Sequence, residues 1–262
     1  MLLESHGGSY DEQMDYHREF MRTQDIASSF AKRYNKAMSQ ILNHFSDQGD
    51  RDYLSKLPRI QFIEPMVVEL IENDVEKNVL IEQFLEGDYK KFNSNMGYVE
   101  EDVKNLVRRM DDLGLGGNLS RGFDDLGAIE EGSEEEEESD EEDEEIFDDS
   151  KEATPYQGTY NDLQDAYFPQ AFSHFSYEKS KRAMLVVDLQ GVFTVKSDGT
   201  KVYELTDPVI HKRRSNRNRT IRKWNFGRTD RGEKGMKAFF ETHRCTDACK
   251  LLGLTEVNAE DI

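Results

Sequence analysis

The sequence predicts a mixed α+β fold, and three observations carry that prediction. Apolar residues recur at helical spacing near the N-terminus, which indicates a long amphipathic helix. Two pairs of segments with strand character follow, and a polar turn separates the members of each pair. Near the C-terminus, Met236, Phe239 and Phe240 share one face of a further predicted helix. At 262 residues the chain has the length of one domain, or of one and a half.

The first helix is predicted over residues 9–38. Ser9 and Glu12 have the spacing of a capping box, in which side chains satisfy backbone N–H groups at the start of a helix. A polar cluster over 46–50 predicts the loop that ends this element. Ordinary core is expected for the apolar face, which consists of Tyr16, Phe20, Ala27, Phe30, Tyr34, Met38 and Ile41.

Two strands are predicted next, over residues 61–71 and 78–85. The polar residues 72–74 between them indicate a hairpin turn. Residues 89–95 follow, and they predict a polar loop with aromatic anchors that carries no specific chemistry of its own.

An acidic run interrupts the globular pattern. Residues 130–149 contain 15 acidic residues and no Lys or Arg, which leaves a net charge of −5 on the rest of the chain. Because uncompensated carboxylates repel one another and bury nothing, we expect this segment to be a disordered, solvated spacer. The functional alternative is that it binds a basic partner, or the chain's own basic loop at 212–223.

A short apolar run over 184–187 leads directly into Asp188, Gln190 and Gly191. Such a run predicts a buried strand, whose end holds the Asp188 carboxylate at an opening. A second hairpin is predicted over 192–205, with Asp-Gly at its turn, and Asp207 follows it. Two carboxylates and an amide oxygen suit Mg²⁺. The plainer alternative is an aspartate that merely ends a strand.

Three residues with metal-binding side chains, His243, Cys245 and Cys249, lie within seven positions. If Thr246 begins a short helix, both sulfur atoms and the imidazole can converge on one tetrahedral Zn²⁺, with His174 as a candidate fourth ligand. Two cysteines that pack as small apolar residues are the alternative. Two close cysteines without a signal peptide favour a reducing, cytoplasmic location.

The basic loop, the lengths of the apolar windows and the C-terminal glycines bear on possible partners of the chain. The basic loop 212–223 lacks interleaved aromatic residues, so we do not expect a nucleic-acid partner. No apolar window reaches the length of about 20 residues that a membrane helix requires, so no membrane association is expected. The glycines Gly227, Gly232 and Gly235 precede a predicted helix and could be read as a phosphate-binding loop. They form neither a Walker loop nor a GxGxxG motif that follows a strand, and a flexible turn that shapes a substrate surface fits them equally well.

Taken together, the motifs resemble the alpha-kinase family of atypical protein kinases. The resemblance covers residues 9–99 and 168–254, and an ordered series of motifs is more specific than any one of them. The motifs are LIEQFLEG (80–87), YKKFNSN (89–95), QAFSHFSYEKS (170–180), VVDLQG (186–191), TDPVIH (206–211), GEKGMKAFF (232–240) and HRCTDACKLLGL (243–254).

The resemblance implies a two-lobed protein-kinase-like fold that transfers phosphate from ATP to Ser or Thr of a protein substrate. It implies an incomplete N-lobe with the hinge at 1–100, an insert at 101–165, a zinc-stabilised catalytic C-lobe at 166–254 and a tail at 255–262. The implied roles are catalysis for Asp188, Mg²⁺ binding for Gln190 and Asp207, adenine binding for Glu82, Phe84 and Leu85, structural Zn²⁺ binding for His174, His243, Cys245 and Cys249, and peptide-substrate binding for Gly227, Gly232 and Gly235.

Three departures from the family pattern stand out. Only residues 1–8 precede the first predicted helix, without the Gly-rich loop and the phosphate-binding Lys of the family. Asp230 occupies a position of the glycine loop where Asn is common, and Asp207 lies nineteen residues after Asp188 because a hairpin intervenes. The missing Lys makes a catalytically impaired, kinase-like scaffold protein the alternative to an active kinase.

Overall fold

The computed structural model describes residues 2–4, 10–44, 48–72, 75–99, 163–213 and 226–262. Most of the acidic and basic segments discussed above, and the proposed cap Ser9, therefore lie outside the described residues. The helices in these ranges are α1 (Tyr10–His44), α2 (Gln48–Leu54), α3 (Phe168–Lys179), α4 (Gly232–Thr242) and α5 (Asp247–Leu251). The strands are β1 (Leu2–Glu4), β2 (Arg59–Phe62), β3 (Met66–Glu72), β4 (Val75–Glu82), β5 (Lys90–Lys91), β6 (Met184–Val187), β7 (Gln190–Val195), β8 (Lys201–Thr206) and β9 (Val209–Lys212).

Helix α1 is longer than predicted, and its inward face is only partly the predicted one. Phe30 and Tyr34 are fully buried, as expected from their spacing. The prediction for Tyr16 is wrong, because its side chain is 38% exposed. This end of α1 extends past the main core, and the inward position falls on His17, whose Nε2 lies 3.2 Å from the carbonyl oxygen of Asn78 in β4.

Two other local predictions are wrong. Residues 48–50 are not a loop but the first turn of α2. The segment 61–71 is not one strand, because it divides at 63–65 into the end of β2 and most of β3. Pro65 at this break has no N–H group to offer a sheet, which explains why the pairing changes here.

The strands form three separate sheets. The orders are β1-β4-β3, β2-β8-β7-β5 and β6-β9. Both predicted hairpins are present, as antiparallel pairs of β3 with β4 and of β7 with β8. The first strand ends at Glu72, one residue beyond the prediction, whereas β4 begins at Val75 and ends at Glu82, each three residues before the predicted bounds of 78 and 85.

Helix α3 lies at the centre of the larger core. Nine of its twelve residues are buried, and Phe172 and Phe175 both contact Tyr34 of α1 edge to face, at centroid distances of 5.6 and 5.5 Å. A second cluster joins α4 to the β6-β9 sheet, with Phe239 fully buried within it. Among the helices of the described ranges, none is long and apolar enough to cross a lipid bilayer.

Candidate functional site

Two neighbouring chain connections bring the predicted site residues together. Val187 pairs with Val209 across β6 and β9, and Gln190 pairs with Thr206 across β7 and β8. The two-residue links between these pairs, 188–189 and 207–208, therefore lie side by side where both strands pass from one sheet to the other. The Nε2 of Gln190 donates to the backbone oxygen of Asp207 at 3.4 Å. The structure thus brings Asp188, Gln190 and Asp207 close together at these adjoining links, while their roles in catalysis and Mg²⁺ binding stay predictions.

Both aspartates occupy backbone conformations that residues other than glycine rarely adopt. Asp188 has φ +57° and Asp207 has φ +47°, in the left-handed region. Such a conformation costs about 1–3 kcal/mol and persists only where the surroundings hold it. Gly191 (φ +149°) follows at the start of β7, where an added Cβ would overlap the backbone of β8 at Glu204. The absence of a side chain at Gly191 therefore allows β7 and β8 to pair closely next to Asp188 and Asp207.

Asn93 holds the connection that carries Asp188. Its Oδ1 accepts a hydrogen bond of 2.9 Å from the backbone N–H of Leu189, and its Nδ2 donates to Ser173 Oγ at 3.0 Å. The backbone N–H of Phe92 also donates to the Leu189 oxygen, at 2.7 Å. The side chain of Asn93 is fully buried. Residues 89–95 are therefore not simply a polar loop, because Lys90–Lys91 form β5 and Asn93 has a structural role that the sequence argument missed.

Lys91 is a second site residue that the sequence argument missed. It lies in β5 opposite Gln190, and its Nζ is 3.1 Å from the Asp188 carboxylate. Both side chains are about one fifth exposed, at 21% and 17%, so the pair faces an opening. The only available signal was the position of Lys91 in the motif YKKFNSN, because spacing alone cannot show a contact between residues 97 positions apart.

The segment predicted as the hinge leads from β4 in the β1-β4-β3 sheet to β5 in the β2-β8-β7-β5 sheet. Glu82 ends β4, and its buried carboxylate accepts a hydrogen bond of 2.9 Å from Thr206 Oγ1. Phe84 is 57% exposed and Leu85 is half-buried, in the irregular segment between β4 and β5. Gly87 packs against Val192 of β7. The hinge backbone therefore lies across the start of the β7-β8 hairpin, beside the two aspartate connections.

The three glycines do not form one flexible turn, which corrects the sequence expectation. Gly227 lies in a turn, but Gly232 is the first residue of α4 and Gly235 lies within that helix. Asp230 supports this helix start, because its Oδ1 accepts hydrogen bonds from the N–H groups of Lys212 and Gly232, at 3.0 and 2.8 Å. Gly235 packs against the ring of His211, and a Cβ there would overlap the imidazole.

The proposed zinc ligands converge. The ligand atoms of His174, His243, Cys245 and Cys249 all lie within 4.8 Å of one another. His174 comes from α3, His243 follows α4, and α5 begins directly after Thr246, as predicted. The His243 Nε2 to His174 Nδ1 distance is 3.2 Å. The Cys245 Sγ lies 3.6 Å from His174 Nδ1 and 3.7 Å from His243 Nε2, and the Cys249 Sγ lies 3.6 Å from His243 Nε2.

These distances fit a single tetrahedral ion. With Zn–N bonds of about 2.0–2.1 Å and Zn–S bonds of about 2.3 Å, tetrahedral edges are about 3.3 Å between nitrogen atoms and about 3.6 Å between nitrogen and sulfur. A hydrogen bond with Cys249, and then the two imidazoles, lower the pKa of the Cys245 thiol, while burial lowers the pKa of His243. The shifts at Cys245 and His243 favour a thiolate and a neutral imidazole, the forms that bind metals. The same hydrogen bond and burial raise the pKa of the Cys249 thiol, so without an ion one thiolate is favoured rather than two.

Comparison with known proteins identifies the class. The model of the alpha-kinase family matches residues 4–110 and 149–249, so the chain belongs to this family. It is 26% identical, over 90% of its length, to alpha-protein kinase vwkA of Dictyostelium discoideum, and covers 24% of that protein. It is 39% identical, over 33% of its length, to eukaryotic elongation factor 2 kinase of Caenorhabditis elegans, and covers 9% of it.

The fold agrees with this assignment. The crystal structure of the alpha-kinase domain of myosin heavy chain kinase A in complex with ADP superimposes with a TM-score of 0.53, at 24% identity, over 97% of this chain and 63% of that one. The α+β kinase-like fold is therefore confirmed. The chain spans about a quarter or less of the length of these curated relatives.

Proposed function

We propose that this chain is an ATP-dependent protein kinase that phosphorylates Ser or Thr of a protein substrate. The observation that carries the proposal is the meeting of Asp188, Gln190 and Asp207 at the adjoining connections between two sheets. Family membership supports it, and so does the ADP complex of the similar solved structure.

In this proposal Asp188 orients the acceptor hydroxyl and Lys91, 3.1 Å away, holds the Asp188 carboxylate in place. Gln190 and Asp207 hold Mg²⁺, through the amide and carboxylate oxygens that this ion prefers. When bound, the ion neutralises charge that develops on the transferring phosphate. Adenine would bind against the backbone of residues 82–85, the segment that leads to Gly87 beside Val192.

We further propose that His174, His243, Cys245 and Cys249 hold a structural Zn²⁺. Four distances between the ligand atoms match tetrahedral edges and support this choice, and so does the burial of three of the four residues. The ion would join α3 to the segment between α4 and α5, and would thereby fix the helix from which Ser173 supports Asn93.

The test is phosphate transfer from radiolabelled ATP to a general protein substrate, with and without Mg²⁺. We compare the parent chain with D188A, which removes the proposed catalytic carboxylate, and with D198A as a matched control in the exposed turn of the β7-β8 hairpin. We expect Mg²⁺-dependent transfer by the parent and by D198A, and a loss of at least about a hundredfold in D188A.

Transfer that survives in D188A would contradict the assignment. A parent chain that binds ATP but transfers no phosphate would favour the scaffold alternative.

A further inference from the structure

A buried hydrogen bond connects the hinge to the proposed metal-binding residues. Thr206 Oγ1 donates to Glu82 Oε1 at 2.9 Å, between residues 124 positions apart in the chain. Glu82 and Thr206 are each only 6% exposed. Because this contact is withdrawn from water, loss of the hydroxyl would leave a buried acceptor without this donor, which costs more than breaking an exposed hydrogen bond.

Thr206, the donor of this hydrogen bond, lies directly beside both proposed Mg²⁺ ligands. Thr206 is the last residue of β8, it pairs with Gln190 of β7, and Asp207 follows it directly. The residue that Glu82 holds is thus flanked on two sides by the proposed Mg²⁺ ligands. Asp207 has φ +47°, so its backbone depends on neighbouring contacts to stay in that conformation.

The two partners also belong to different sheets. Glu82 ends β4 in the β1-β4-β3 sheet, whereas Thr206 ends β8 in the β2-β8-β7-β5 sheet. The hydrogen bond therefore ties the first of the two sheets to the second, at the point where the hinge begins. A movement of one sheet against the other would act on Asp207 through this contact.

From these observations we propose that Glu82 and Thr206 are positioning residues, which hold Asp207 in its metal-binding conformation. The inference rests on the proposed function and refines it. The side chain of Glu82 acts on the metal ligands, while the contribution of the hinge to adenine binding comes from its backbone. Mg²⁺-dependent binding and adenine binding should then respond differently to mutation.

The test uses calorimetry of the full chain with MgATP and, separately, with adenosine, which lacks phosphates. In T206V the donor is lost, and we expect MgATP affinity to fall about tenfold or more, with a matching rise in the Mg²⁺ concentration required for activity. Adenosine affinity should stay within about twofold. T206S keeps the hydroxyl and should restore the parent behaviour.

Three further variants make the test specific. T194V is the matched control, because it makes the same change on the neighbouring strand β7 and should leave MgATP binding unchanged. In E82A the acceptor is lost and the Mg²⁺-selective defect of T206V should reappear. The double variant E82A/T206V should be no worse than either single variant, since one contact is lost in all three.

The possible outcomes distinguish a failure of the proposed kinase function from a failure of the positioning role of Glu82 and Thr206. If the parent chain binds no MgATP, the proposed function fails. If the parent binds MgATP and T206V behaves like T194V, the function stands and the positioning role is overturned. An E82A variant that loses adenosine and MgATP affinity equally would also overturn it, because the Glu82 side chain would then contact adenine. Melting curves for each variant show whether the fold is retained.

Discussion

His211 provides the most quantitative prediction, because burial makes its protonation unfavourable. The ring is fully buried, with Nε2 donating to the backbone oxygen of Asn95 at 2.7 Å and Nδ1 accepting from the N–H of Arg231 at 3.1 Å. This arrangement uses the neutral ring with its proton on Nε2. Burial lowers the pKa of His211 from 6.5 to about 4; the Arg231 guanidinium lowers it further, while the hydrogen bond to Asn95 opposes the shift.

The shift sets the size and the sign of a pH effect on stability. Below pH 6.5 the unfolded chain binds a proton at His211 and the folded chain does not, until the pH approaches about 4. Stability from this group is therefore complete above pH 6.5, and is lost between pH 6.5 and about 4. At about 1.36 kcal/mol per pH unit, the total loss is about 3 kcal/mol.

Urea unfolding measures this loss as a difference between proteins. The variant H211Q keeps a donor towards Asn95 but does not titrate, and we compare it with the parent in steps of about one unit between about pH 7.5 and 4.5. We expect the stability advantage of the parent over H211Q to shrink by about 2.5 kcal/mol across that range, because about two of its pH units lie below 6.5. The control T242V removes a hydroxyl that donates to Met96 O at 3.2 Å, and should follow the pH dependence of the parent. Parallel curves for the parent and H211Q would refute the reasoning.

Three shorter predictions concern the site and its support. In G191A the added methyl group meets the β8 backbone, so urea unfolding should show that the free energy of unfolding falls by more than about 2 kcal/mol. The loss in G199A should be much smaller, because a Cβ there meets nothing within 4 Å. Equal losses in the two variants would contradict this packing. In N93A the buried N–H of Leu189 loses its acceptor, which should lower the free energy of unfolding by about 1–3 kcal/mol and reduce phosphate transfer. N93D keeps an acceptor oxygen and should lose less stability and less activity than N93A. The reverse order would contradict the role of Asn93. Zinc should copurify at one equivalent by mass spectrometry, and C245A should lose both the metal and much of the thermal stability; an unchanged melting temperature in C245A would contradict the metal site.

Much of the fold could be predicted because its signals are local. The period of α1, the Asp-Gly turn of the β7-β8 hairpin and the apolar run of β6 each depend on residues close together in the chain. The convergence of Cys245 and Cys249 with His243 was likewise a matter of spacing. His174 was the exception, since resemblance to a family supplied the distant ligand.

The parts that could not be predicted depend on contacts between distant segments. Asn93 and Lys91 looked like ordinary loop residues, because only the folded chain shows them beside Leu189 and Asp188. Tyr16 was assigned to the core because its spacing fits, yet the core does not extend to that end of α1. Periodicity gives the face of a helix but not the length over which another element covers it.

The central claim is that Asp188, Gln190 and Asp207 form one Mg²⁺-nucleotide site, and a crystal structure with Mg²⁺ and a non-hydrolysable ATP analogue tests it most directly. We expect the ion about 2.1 Å from oxygen atoms of Gln190 and Asp207, with the Asp188 carboxylate facing the terminal phosphate and adenine against residues 82–85. A nucleotide bound elsewhere, or an ion that contacts neither Gln190 nor Asp207, would contradict the account.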